Sequence, residues 1–129
     1  MKRNIFVVLL LSLFLSACDQ GEPQGYSIIS VTDAYQLVKD QDKGTIFLDV
    51  RTPGEYQSGH VPHAKLIPVQ TLANRLNEVP KDKKIVVYCE SGVRATRAAE
   101  LLVNQGYTNV LSMKASMRGW RSAGLPTEK

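Results

Sequence analysis

Two textures alternate along the chain: short near-continuous apolar runs, and longer stretches where apolar residues return every three or four positions. Ser27-Ile28-Ile29 is a short strand, and Ser30 or Thr32 then caps a helix whose inner face carries Ala34, Leu37 and Val38. Thr45 to Val50 is an apolar run of strand length, the pattern of a strand covered on both faces in a parallel sheet. Pro53 to Gly59 is turn-rich and holds one helical turn. Lys65 to Pro68 is a short strand, and Leu72, Leu76 and Val79 mark a helix. The clearest strand is Lys84 to Tyr88. It runs into Cys89 and Gly92, then into a helix from about Arg94, with Ala95, Ala98, Ala99 and Leu102 inward and Gly106 as its stop. Asn109 to Leu111 is the last strand and Met117 to Ser122 a terminal helix. Strands alternating with helices predict an α/β fold around a central parallel sheet.

The first 25 residues stand outside this pattern. A basic start, Lys2-Arg3, leads into the apolar run Ile5 to Leu15, which is too short for a membrane span of about 20 residues but suits a secretory signal. The run ends in Leu15-Ser16-Ala17-Cys18. Small residues before a cleavage point, with a thiol directly after it, resemble the bacterial lipoprotein signal, in which Cys18 becomes the acylated first residue. On that reading residues 1–17 are the signal, 18–25 a lipidated cysteine with a Gly/Pro/Gln-rich tether, and 26–129 the folded domain. The protein is then a membrane-anchored lipoprotein of the cell envelope. In similar Gram-negative lipoproteins an Asp after the lipidated cysteine tends to keep the protein at the inner membrane, so Asp19 points to the periplasmic face of that membrane, with the outer membrane as the alternative.

Composition adds limits. At 129 residues, 43% hydrophobic and 22% charged, the chain is one ordinary globular domain, not a disordered, collagen-like or multi-span protein. The formal charge of +4 counts Lys2 and Arg3; without them 14 basic residues face 12 acidic ones, and a net +2 does not argue for nucleic acid. The two cysteines matter more. If Cys18 carries lipid, Cys89 has no intramolecular partner in an oxidising compartment, so it is either inert and buried or kept for chemistry.

Its surroundings favour chemistry. In parallel sheets ligands sit beyond the carboxyl ends of the strands, and Cys89 stands at that edge between a strand and a helix. Helix N-termini attract anions, and a thiol there ionises more readily. Gly92 permits positive-φ curvature around a single atom, and Arg94 contributes a permanent positive charge.

The chain resembles single-domain rhodaneses (thiosulfate sulfurtransferases) and is similar to their small periplasmic phage-shock type. The resemblance spans nearly all of residues 26–127. It rests on Leu48-Asp49-Val50-Arg51-Thr52-Pro53 with Glu55-Tyr56, on Ser58-Gly59-His60-Val61-Pro62, and on Val86-Val87-Tyr88-Cys89 with Ser91-Gly92 and Arg94. Gly106-Tyr107, Trp120 and Ala123-Gly124-Leu125-Pro126 extend it. It implies a five-stranded parallel sheet with helices on both faces, Cys89 as the nucleophile that carries a persulfide, and a cradle formed by Glu90, Ser91, Gly92, Val93 and Arg94. Sulfane sulfur would pass from thiosulfate, by ping-pong displacement, to cyanide or a thiol acceptor, with no metal or organic cofactor. The alternative is a persulfide carrier or binding module that a partner loads, with little thiosulfate turnover.

Other residues are weighed against this frame. Cysteine phosphatases on related folds place an Arg after five intervening residues, where this chain has Ala95; the six-residue loop Cys89 to Arg94 suits one sulfur atom better than a phosphate. Asp49, Arg51 and His60 are candidates for orienting the loops, with a plain structural role favoured for the ion pair and a hydrogen-bonding role for His60. His60 and His63 lack a third metal ligand, and Trp120 is expected in the core. Arg97, Lys114, Arg118 and Arg121 are candidates for a positive rim that attracts thiosulfate. Three departures from the family pattern stand out. Ala115-Ser116 replace two common glycines, His63 adds bulk near the same region, and Glu90 sets a negative charge beside the nucleophile.

Overall fold

The computed structural model describes residues 25–129; the signal, Cys18 and most of the tether lie outside the described residues. Five strands run β1 (Ser27–Ile29), β2 (Thr45–Asp49), β3 (Lys65–Leu66), β4 (Lys84–Tyr88) and β5 (Val110–Met113). They form one sheet in the order β1-β5-β4-β2-β3, and every pairing is parallel. β4 is central, with Asp49 at the end of β2 in register with Tyr88. The expected five-stranded parallel sheet is present.

The continuous apolar runs are explained by two separate cores. Ile85, Val87 and Leu48 pack with Ala95, Ala98, Ala99 and Leu102 on one side of the sheet. Val86, Tyr88 and Phe47 pack with Ala34, Met113, Met117 and Trp120 on the other. Alternate residues of β2 and β4 thus serve opposite layers, so both parities must be apolar. Helices α1 (Val31–Lys39) and α5 (Ser116–Ser122) contribute to the second layer, and α3 (Val69–Leu72) and α4 (Val93–Asn104) to the first. The short α2 (Pro53–Ser58) follows β2, and its Thr52–Glu55 capping box explains why the turn-rich stretch becomes a defined six-residue helix.

Ser30 is the cap of α1, its hydroxyl accepting the Asp33 N–H at 3.0 Å. The single helix expected through Leu72, Leu76 and Val79 is instead α3 followed by a 3-10 turn at Leu76–Glu78. Arg75 leaves helical geometry between them. The Leu76 carbonyl accepts the Val79 N–H at 3.0 Å, and the Tyr107 hydroxyl sits 3.0 Å from that carbonyl and 2.6 Å from that of Val79. The apolar spacing was compatible with a helix, but the chain leaves helical geometry at Arg75, and Pro80 has no N–H to offer the Leu76 carbonyl.

Candidate active site

Cys89 follows β4 directly and is fully buried. The chain turns back at Gly92, at φ +120°, and enters the twelve-residue α4. A Cβ built on Gly92 would meet nothing within 4 Å, so the glycine is required for its backbone angle and not for space. The turn brings the Gly92 N–H to 3.0 Å from Cys89 Sγ. The first N–H groups of α4, which have no carbonyl partner inside the helix, open on the same loop. Sulfur is therefore held at a positive dipole end, the environment that stabilises a thiolate or a bound anionic sulfur.

The opposite wall is the start of α5. The Met117 N–H donates to the Cys89 carbonyl at 2.9 Å and the Arg118 N–H to the Glu90 carbonyl at 3.0 Å. The Cys89 N–H donates to Ser116 Oγ at 3.2 Å. This arrangement requires left-handed backbone at both Ala115 (φ 60°) and Ser116 (φ 52°). Both positions carry a side chain, so the left-handed geometry is held at a steric cost.

Between β2 and the cysteine loop lies a buried ion pair. Arg51 Nε and Nη2 contact both Asp49 oxygens, the Nη2–Oδ2 distance being 2.8 Å, and both side chains are almost wholly enclosed. Arg51 also donates to the Gly59 carbonyl at 2.8 Å and reaches Glu90 at 3.4 Å. Desolvation lowers the proton affinity of its guanidinium, but the hydrogen bonds and charge of Asp49 outweigh this and raise it. The pair ties the end of β2 to the segment before His60 and to the residue after the nucleophile. Burial of Tyr88, beside the Asp49 charge, pushes its phenol far above the ordinary range.

Glu90 does not present a free negative charge. Arg121 and Arg51 both pair with its carboxylate, and the Arg121 hydrogen bond, opposed by partial burial, holds its pKa below the usual value. Arg94 is likewise committed. Its two terminal nitrogens lie 2.7 and 2.9 Å from the Glu55 oxygens, and this contact lowers the Glu55 pKa to about 2. The guanidinium is thus bound to α2 rather than folded over the loop as a phosphate clamp. Neither long-range partnership was legible in the sequence, where 39 residues separate Glu55 from Arg94.

Two hollows flank the loop. One, of about 490 Å³, is lined by Arg51, Glu55, Glu90, Met117, Arg121 and Leu125 among others. The other touches Ser91, Gly92, Val93, Lys114 and Ala115. Of the expected positive rim, Arg121 and Lys114 reach these hollows, while Arg97 and Arg118 are exposed and line neither. His60 holds a loop: its Nδ1 is 2.9 Å from the Tyr56 carbonyl and its ring stacks on Tyr56 at 3.6 Å. His63 corrects an expectation. It is left-handed (φ 64°) and its side chain is 86% exposed beside Glu128, lining a separate groove next to α1, so it adds no bulk at the cysteine loop.

Comparison with known proteins fits this geometry. The family model for the rhodanese-like domain matches residues 30–123. A sulfurtransferase of Allochromatium vinosum is 38% identical over 81 residues, covering 63% of this chain and 76% of that protein. A thiosulfate sulfurtransferase, GlpE, of Pseudoalteromonas translucida is 30% identical, covering 74% of this chain and 89% of its own length. The crystal structure of a rhodanese-related protein from Thermoplasma volcanium superposes with a TM-score of 0.72 at 29% identity, covering 80% of this chain and 98% of that one.

Proposed function

The chain belongs to the rhodanese-like domain family, and from that premise we propose that it is a sulfurtransferase working through a persulfide on Cys89. The Cys89 thiolate attacks the outer sulfur of thiosulfate; the S–S bond breaks, sulfite leaves with the electron pair, and a new S–S bond joins the sulfur to Cys89. A second nucleophile, cyanide or a thiol, then takes the outer sulfur and the thiolate returns. The carrying observation is the 3.0 Å contact from the Gly92 N–H to Cys89 Sγ at the N-terminus of α4, a preorganised dipole for anionic sulfur. Glu90, balanced by Arg121 and also contacted by Arg51, presents little net repulsion to a dianionic donor.

The flanking hollow of about 490 Å³, with Met117 and Leu125 as apolar wall, has room for an acceptor much larger than cyanide. This supports an organic or protein thiol as acceptor, and it is the observation that favours the second reading, a carrier loaded by a partner. The test is intact mass of the full chain in mild detergent after brief thiosulfate exposure. The parent gains one sulfur atom that cyanide removes, and Cys89→Ser gains none. No gain, with Cys89 still alkylated by iodoacetamide, would sink the thiosulfate reading in favour of the carrier.

The same proposal covers placement. The run Ile5 to Leu15 followed by Leu15-Ser16-Ala17-Cys18 supports a lipid anchor at Cys18, and Asp19 supports the periplasmic face of the inner membrane. Cys18→Ser is expected to abolish acylation and move the protein from the membrane to the soluble fraction. Unchanged fractionation would rule out the anchor.

A further inference from the structure

Ser116 is the least expected group at the nucleophile. It is fully buried, and its backbone is left-handed although it carries a side chain. Strain of this kind persists where the surroundings hold it and is concentrated at functional sites. Its hydroxyl has three neighbours. It accepts the Cys89 N–H at 3.2 Å, and its single proton faces two acceptors, the Met113 carbonyl at 3.4 Å and Cys89 Sγ at 3.9 Å. A hydroxyl can serve only one of those at a time.

We propose that Ser116 is a positioning residue whose hydroxyl rotor sets how firmly Cys89 holds sulfur. The inference rests on the persulfide reading. When Cys89 is free of cargo, the negative charge lies on Sγ, and the hydroxyl turns its proton there. When Cys89 carries sulfur, the charge moves to the outer atom, one bond further away. Sγ is then a neutral and poorer acceptor, so the proton returns to the Met113 carbonyl. Hydrogen bonds to charged groups are stronger than those to neutral ones. The rotor therefore stabilises the unloaded thiolate more than the persulfide and biases the loop toward giving sulfur away. No proton leaves Ser116 in either state; only its direction changes. The N–H contact from Cys89 fixes the oxygen, so that rotation is the hydroxyl's one remaining freedom.

The experiment equilibrates the full chain in mild detergent with thiosulfate and sulfite at a series of ratios, reading the loaded fraction by intact mass. Parent, Ser116→Ala and Ser116→Gly are compared. Alanine removes the hydroxyl and keeps the strained side chain; glycine removes both. Both variants are expected to reach half-loading at a thiosulfate-to-sulfite ratio about threefold to tenfold lower than the parent. In both, the pH profile of iodoacetamide alkylation at Cys89 should move to higher pH, a change that looser packing alone would not produce. Half-loading at the parental ratio in both variants would overturn the proposal. A shift in only one of them would do the same, because it would assign the effect to backbone strain. If the parent takes up no sulfur at all, the persulfide reading falls and this inference with it; normal loading of the parent with unmoved variants sinks the rotor alone.

Discussion

Asp49 and Arg51 show how two charges one residue apart become a buried element of the site. Both charges are enclosed, and every contact Arg51 makes joins a different segment: the β2 end, the Gly59 carbonyl and Glu90. Removing one partner of such a pair leaves an uncompensated buried charge, at a cost of about 3–5 kcal/mol. Asp49→Asn is therefore expected to lower the unfolding free energy by roughly that amount in urea titrations; a loss below about 1 kcal/mol would place Arg51 in contact with solvent. Glu55 carries a pH signature. Its carboxyl titrates near 2 in the folded protein against an ordinary 4.5, because Arg94 binds the ionised form. Its contribution to stability is complete above the unfolded value and is lost as pH falls from about 4.5 toward 2. Glu55→Gln should flatten the acid limb of the stability profile in that window. Equal slopes in parent and variant would show that the Arg94 contact does not favour folding.

At the level of elements, the turn into α5 couples two positions. A Cβ built on Gly119 would lie 2.7 Å from the Ala115 Cβ, closer than real side chains approach. The side chain at Ala115 thus demands a glycine one helical turn later. Gly119→Ala is expected to destabilise by about 1–3 kcal/mol through overpacking. Adding Ala115→Gly should recover part of this, with a coupling of at least about 0.5 kcal/mol in a double-mutant cycle; strict additivity would place the clash elsewhere. The same scale shows what periodicity could and could not convey. The α4 stripe Ala95, Ala98, Ala99 and Leu102 was readable because those residues pack on the sheet as the spacing implies. The break between α3 and the 3-10 turn was not, since Leu72, Leu76 and Val79 keep helical spacing across it.

Across the whole molecule, the end of the chain closes the fold over the site's outer wall. His60 and Glu128 exchange both backbone hydrogen bonds at 2.9 Å, and Glu128 also accepts from the His63 N–H at 3.1 Å. The buried Trp120 donates its indole N–H to the Pro126 carbonyl at 2.8 Å and meets Tyr35 of α1 edge-on. Deleting residues 126–129 removes the Glu128 contacts with His60 and His63 and leaves the indole N–H without its acceptor. The expected loss is about 2–4 kcal/mol. Fluorescence of Trp120, the sole tryptophan, reports it as an earlier urea midpoint. An unchanged midpoint would mean that the tail is not docked in solution.

Strand and helix order, both-face burial of β2, and a cysteine loop at the carboxyl edge of the sheet were determined by the sequence alone. Each depends on local pattern: apolar runs, helical spacing, and a glycine between a cysteine and a helix. Tertiary structure alone decided the charge balance of the site. Glu90 acquires two guanidiniums, Arg94 is claimed by Glu55, and the Ser116 hydroxyl arrives against Cys89 from 27 residues away. Electrostatic partners and strained turns are set by which chain segments meet at the sheet edge, and no periodicity along the sequence encodes that meeting.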